Sequence, residues 1–285
     1  MIKEFSRKYA VLYAFIVSVL YIAFLAGISS LLNFVTEKLC PDIDEYIVFL
    51  VQELIGAAVA LVILKYTGFW AVLKNKGVGL LRGIGTGAYF IFAAIISAPA
   101  LLYTYQGERI FRSPVMIAVF VLAMIFVGIS EEIVFRGVVT TTLYNKFAGS
   151  KGDVWKTVTL SGCFFGIAHL VNLAGGINPV GVLVQVIVAS VMGMVLSAVY
   201  LRSGSILTNI ILHALIDIGA GITSIYVGNN IAQTIGGYSS INLLGIIPYI
   251  IVLLVLLRKK KIGTIRANFA DILDAPPSEP EPAEI

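Results

Sequence analysis

The sequence predicts an all-α, polytopic membrane protein with about eight transmembrane helices. Three observations carry this. Only 13% of residues are charged and 59% are hydrophobic, with a mean hydropathy of +0.96, which leaves too little polar surface for a water-soluble globule. Apolar runs of about 20 residues recur from end to end, the length a helix rising ~1.5 Å per residue needs to cross a ~30 Å hydrocarbon core. Runs such as Val115 to Gly128 are apolar on every side, which excludes the alternating pattern of a barrel strand.

The first predicted span, Tyr9–Leu32, follows Lys3, Arg7 and Lys8, and it is too long for a signal-peptide core of about 7–15 residues, so it reads as a retained helix. Tyr46–Leu64 and Gly83–Tyr103 come next, and Pro99 predicts a kink in the second of them. Ser113-Pro114 places a capping hydroxyl before a proline at the first helical position, where the missing N–H does no harm, and so opens the fourth span, Pro114–Val139. Lys156–Gly175 is the fifth. Asn178-Pro179 opens the sixth, Pro179–Leu201, by the same chemistry. Ser205–Val227 and Asn242–Leu257 complete the set, with Pro248 predicting a second kink.

Charge fixes the orientation of this arrangement. With a cytoplasmic amino terminus, every lysine and arginine except Lys38, Arg109 and Arg112 falls on the inner side, as the positive-inside rule requires. Both termini are then cytoplasmic, and loop topology accounts for the net charge of +4, leaving no basic face for nucleic acid. The stop-transfer run Arg258 to Lys261 follows the last span. From Asp274 onward the chain is acidic and proline-rich with little to bury, and it reads as a disordered tail. The expected divisions are residues 1–113 with the first three spans, 114–227 as a transmembrane core of four spans, 228–262 as the final span with its basic stop, and 263–285 as the tail. The two cysteines, Cys40 in an outer loop and Cys163 within a span, should sit at different depths and form no disulfide. No internal repeat is visible by eye.

Ionisable residues inside the spans are the informative positions, because an Asp or Arg at a helix centre is disfavoured by about 2.5–3.5 kcal/mol on insertion scales. The fourth span carries Glu131, Glu132 and Arg136, the fifth His169, and the seventh His213 and Asp217; the chain has no other histidine. Counted from the predicted membrane edges, all lie between the cytoplasmic boundary and about the midplane. Glu132 and Arg136 stand four apart, acid first, the favourable order for a helical ion pair. Glu131 is turned about 100° away and has no partner on its own helix. Asn209, His213 and Asp217 step by four into one polar stripe that must face protein or water. Phe165 precedes His169 by one turn, where its ring could wall the imidazole from lipid.

Together, E-E-x-x-x-R at Glu131, Glu132 and Arg136, F-x-x-x-H at Phe165 and His169, and H-x-x-x-[N/D] at His213 and Asp217 resemble the CAAX prenyl protease and bacteriocin-processing family of intramembrane endopeptidases, also called the Abi family. The resemblance covers about Ala118 to Ala220, the fourth to seventh spans. It implies a glutamate-dependent, metal-independent endopeptidase with no cofactor. Glu131 and His169 would activate a water, His213 and Asp217 would stabilise the oxyanion, and Glu132, Arg136, Phe165 and Asn209 would support them. The implied substrate is a hydrophobic or lipidated peptide that enters laterally from the bilayer, and the compact chain points to a prokaryotic plasma membrane. Asp217 departs from the asparagine of many members. An ionised aspartate cannot donate a hydrogen bond, so Asp217 is expected either to orient or charge His213 or to be protonated itself, leaving His213 as the main oxyanion donor.

Each signal also has a plainer explanation. A Glu–Arg pair serves as glue within a membrane bundle, and a lone histidine, Asn172, Gln185 or Asn209 can simply bond between helices. Glu53, alone in the second span, could snorkel to the boundary. Cys163 lies on a different face from His169 and reads as a small buried hydrophobe. Three other functions stay open at this level. A metallopeptidase could assemble zinc ligands from several helices, although no H-E-x-x-H pair occurs. A proton-coupled transporter could relay protons through the same groups. A scaffold or bacteriocin-immunity protein would need no catalysis.

Overall fold

Capping chemistry sets where the rods begin. The computed structural model describes residues 2–269. A short helix α1 (Ile2–Lys8) leads into α2 (Ala10–Leu39). Asp44 caps α3 (Glu45–Thr67) by accepting from Tyr46 N at 2.9 Å, and Gly68 ends it in the left-handed conformation at φ 86°. The two predicted proline starts are both present. Ser113 Oγ accepts from Met116 N at the head of α6 (Pro114–Glu132), and Asn178 Oδ1 from Val180 N at the head of α9 (Pro179–Ser203).

Between α3 and α6 lie α4 (Leu80–Thr86) and α5 (Ala88–Thr104), which meet at a 63° bend. The bend sits at Gly87 rather than at the predicted Pro99, and α5 runs unbroken through Pro99. A side chain at Gly87 would strike Leu212 Cδ1, so glycine is what allows the corner to close on the neighbouring helix. After α6 the rod widens into π-helical winding over Ile133–Thr140 and resumes as α7 (Thr141–Phe147), giving one continuous span of 34 residues where the prediction stopped at Val139. Then follow α8 (Asp153–Ala168), which tightens into a 3-10 turn at His169–Leu173, and α10 (Ile206–Ala220) after α9. The predicted seventh span reaches Val227, but helix α10 stops at Ala220 before Gly221. α11 (Ile231–Gly236) is short and lies in the loop region beyond.

α12 (Ile246–Leu256) and α13 (Lys259–Phe269) complete the described chain, with a 72° bend at their junction. Pro248 produces no interior kink because it stands in the first turn of α12, where helical N–H groups have no partner to lose. The region expected to be a disordered tail from residue 263 is helical as far as Phe269. Its reason is apolar spacing that the basic residues had masked: Ile262 and Ile265 fall on one face, and Ile265 is wholly buried where α13 packs on α9. The acidic stretch from Asp274 lies outside the described residues.

The bundle has α6 between α3 and α10, and α9 between α8 and α12, with α5 closing against α10. Phe135, Phe165, Leu196 and Tyr200 stand at its centre and are almost completely buried. Large apolar side chains such as Leu20, Ile95, Leu183 and Leu254 point outward instead, more than half exposed, as a lipid-facing surface requires. Five helices are long and apolar enough to cross a membrane, or up to seven when each bent pair is one span. Among the described residues no strand occurs, and a single isolated bridge joins Phe111 to Tyr226. The chain is an all-helical integral membrane protein.

That bridge belongs to an interlocked set of loops. Arg112 donates to Asp44 and Glu45 at the head of α3 and to the carbonyls of Ser224 and Asn229 beyond α10, while its guanidinium lies 4.9 Å over the Tyr46 ring. One side chain therefore ties three separate segments.

Candidate active site

α6 delivers the acids. Lipid gives helices no hydrophobic reason to associate, so close backbone approach and hydrogen bonds must hold them. Gly128, one turn before the acids, provides the approach: a Cβ there would lie 3.0 Å from Ile210 O and 3.4 Å from Ala214 Cβ of α10. This brings Glu131 and Glu132 level with His213. The wide winding that follows is held by hydroxyls reaching five residues back, from Thr140 Oγ1 to Phe135 O at 2.8 Å and from Thr141 Oγ1 to Arg136 O at 3.0 Å. α8 approaches α9 through Gly162 and Gly166, where a Cβ would fall 2.6 Å from Ser190 O and 2.6 Å from Val186 O respectively. Phe165 and His169 are thereby set against the same interior.

At the bottom of the site is a fully enclosed polar clamp. Glu132 Oε1 meets Arg136 Nη1 at 2.8 Å and His213 Nδ1 at 2.7 Å, and Glu132 Oε2 accepts from Asn209 Nδ2 at 3.1 Å. Asn209 also donates to Leu196 O at 2.8 Å, and Arg136 to Gly193 O at 3.3 Å. The Glu132, Arg136 and Asn209 side chains have no exposure, and His213 has 2%. A carboxylate paired with arginine is ionised and can only accept, so His213 Nδ1 carries a hydrogen and donates it.

The other ring nitrogen faces a more open group. His213 Nε2 lies 3.3 Å from Asp217 Oδ2 and 3.6 Å from Glu131 Oε2, and those carboxylates are 24% and 17% exposed. Glu131, with no partner expected on its own helix, thus finds its neighbour on α10. With carboxylates at both ring nitrogens, the imidazolium is the form in which every N–H has an acceptor.

His169 completes the surroundings. Its Nδ1 donates to Phe165 O at 2.9 Å, since a carbonyl can only accept, so Nε2 is left as the acceptor nitrogen. The buried Phe165 ring has its centroid 5.1 Å from His169 and 5.7 Å from His213, and Arg136 lies 4.5 Å over it. It is an internal partition among the polar groups rather than a screen against lipid. No hydrogen bond joins His169 directly to Glu131 among the described residues. No set of three or more His, Cys, Asp or Glu side chains there is arranged to hold a metal ion.

Three helices thus present two partly exposed carboxylates and two imidazoles, one on either side of the Phe165 ring, beside a buried ion pair. Residues 113–219 match the type II CAAX prenyl endopeptidase Rce1-like family. This is the family grouping that the three motifs resemble, and no curated protein matches the chain. The Rce1-like segment runs from the cap of α6 to the last turn of α10 and contains every site residue expected from the sequence.

Outside the Rce1-like segment, α3 adds an acid that sequence reasoning had placed near a boundary. Glu53 is 4% exposed and accepts from Ser130 Oγ at 2.9 Å and from Gln52 Nε2 at 3.1 Å. It does not snorkel. Its signal was hidden because its key partner is 77 residues away on another helix. Asn172 and Gln185 bond to each other at 2.8 Å rather than to the acids or histidines, and Cys163 is a free thiol apart from them.

Proposed function

We propose that this protein is an intramembrane endopeptidase that hydrolyses a peptide bond in a membrane-associated, hydrophobic or lipidated peptide. The observation that carries the reading is His213 held between Glu132 at Nδ1 and the Glu131 and Asp217 carboxylates at Nε2, inside the Rce1-like segment. Glu131 takes a proton from water while His169 Nε2 accepts the water's other hydrogen, and the hydroxyl adds to the scissile carbonyl carbon. His213 Nε2–H donates to the oxygen that becomes negative, with Glu132 fixing the ring through Nδ1. Collapse breaks the C–N bond, and the amine leaves with the proton that Glu131 had taken. Asp217 balances the imidazolium. Glu132, Arg136, Asn209 and Phe165 hold these groups in place.

The same reading counts eight spans, taking each bent pair as one and the 15-residue α10 as another, with the catalytic core in the fourth to seventh, over 114–227. The flanking divisions are 1–113, 228–262 and 263–285. Both termini face the cytoplasm of a prokaryotic cell, and substrate enters from the bilayer between helices.

The test is cleavage of quenched peptides, with and without a lipid chain near the carboxyl end, by protein purified in detergent. Glu131→Gln and His169→Ala should each lower kcat by about 100-fold or more while leaving the unfolding temperature near that of the wild type. Cleavage by both variants at the wild-type rate would sink the proposal.

A further inference from the structure

A cleft of about 530 Å³ opens between the loop that joins α7 to α8 and the first turns of α13. Candidate spans end around it: Pro114–Phe147 stops just before the loop, Asp153–Leu173 starts in the cleft, and α12 bends by 72° into α13 beside it. Gly149 and Gly152, both left-handed at φ 80° and 74°, fold the short loop. Ser150, Lys151, Asp153 and Trp155 line one wall, and Ile262 of α13 forms the other.

The charge of this cleft is one-sided. The Lys156 ammonium lies 3.4 Å from Ser150 Oγ, Lys151 is part of the lining, and Lys259 stands one turn before Ile262 on α13. All three lysines are exposed, and none makes an ion pair among the described residues. Asp153, the one acid in the lining, is 5% exposed, and its two oxygens accept from Gly149 N at 3.2 Å and Val154 N at 2.8 Å. The Ser150 hydroxyl accepts from Lys156 and keeps its own hydrogen to donate. A stop-transfer role accounts for a lysine run after a last span. It does not account for further lysines around a cleft that also has an apolar wall.

We propose that this cleft binds the headgroup of an anionic phospholipid from the leaflet on the lysine-rich side. The phosphate sits against Lys151, Lys156 and the Ser150 hydroxyl, with Lys259 closing from α13. The glycerol and first methylenes lie along Trp155 and Ile262, an amphipathic ring and an aliphatic side chain suited to the headgroup level. A lipid is the source that fits, because the cleft stands where rods end and its apolar wall offers nothing to a free phosphate. Held there, the lipid ties α13 to the first turn of α8, the helix whose far end carries Phe165 and leads into His169. The proposal stands whether or not the protein cleaves peptides.

The chain has two tryptophans, so Trp70→Phe leaves Trp155 as the sole reporter, inside the cleft. With the full chain in detergent, phosphatidylglycerol carrying brominated chains should quench Trp155 saturably, at about tenfold lower concentration than brominated phosphatidylcholine. Adding Lys151→Gln and Lys156→Gln should raise the half-quenching concentration of phosphatidylglycerol about tenfold. Lys151→Arg with Lys156→Arg should keep it near the parent value, which separates lost charge from lost fold. Equal quenching by the two lipids, or an unchanged curve in the glutamine variant, would overturn the proposal. Glycerol phosphate at the same concentration as the lipid should displace none of it. Displacement at that concentration would assign the cleft to a soluble phosphate ester, and the lipid proposal would fall.

Discussion

Glu132 does two jobs with one carboxylate, and that makes it the most consequential side chain of the site. It neutralises a completely buried arginine and accepts the Nδ1 hydrogen of His213. Replacing it by glutamine keeps the volume but leaves Arg136 without a counter-charge, and breaking a buried pair in this way costs about 3–5 kcal/mol. Glu132→Gln should therefore lower the unfolding temperature measurably as well as abolish cleavage, whereas Glu131→Gln should affect cleavage only; thermal scans in detergent separate the two. Most of these residues could be read in the sequence, because an ionisable group in an apolar run stands out and four-residue spacing assigns its face. Two things could not. Glu132, not Asp217, turned out to hold the orienting nitrogen of His213, since nothing in the spacing along α10 reveals a partner on α6. Glu53 stood alone on its helix, and only the crossing of α3 over Ser130 gives it a neighbourhood.

At the scale of elements, glycine places the site. Gly166 lets α8 lie against the α9 backbone, and a methyl group there would contact Val186 O at 2.6 Å and collide with Ser190 Oγ. Gly166→Ala should destabilise the fold by about 1–3 kcal/mol, the usual cost of overpacking, and should also weaken cleavage by displacing Phe165 and His169. Gly27→Ala on α2 provides the contrast, since nothing lies within 4 Å of its Cβ position. It should be neutral or stabilise by about 0.5–1 kcal/mol through helix propensity. Unfolding midpoints of the two variants check both expectations. Helix starts were legible in Ser113-Pro114 and Asn178-Pro179 because caps are local chemistry. The bend at Gly87 and the π winding of Ile133–Thr140 were not, because each is decided by what a distant helix presses against it. The consecutive threonines Thr140 and Thr141 are the sequence trace of the winding in retrospect.

For the molecule as a whole, Arg112 is the tie on the side opposite the basic loops. It joins the segment before α6 to the head of α3 and to the chain beyond α10, from a side chain only 8% exposed. Arg112→Ala should cost about 2–3 kcal/mol, the scale of lost charge-assisted hydrogen bonds, and hydrogen exchange should show faster opening at residues 221–230 than along α6. Uniform protection in that variant would show that the loops hold without it.

The helices around the site differ greatly in length. The α6 to α7 rod has 34 residues, but α10 has 15, which at ~1.5 Å each spans roughly 22 Å against a hydrocarbon thickness of about 30 Å. With α10 counted as a span, as proposed above, lipid tails beside it would have to shorten or splay to meet it, and the bilayer would be locally pinched next to the proposed catalytic groups. Under the proposed endopeptidase function, a peptide bond lying at the headgroup level would be brought nearer the acids by the shape of the membrane itself, before any helix had to move.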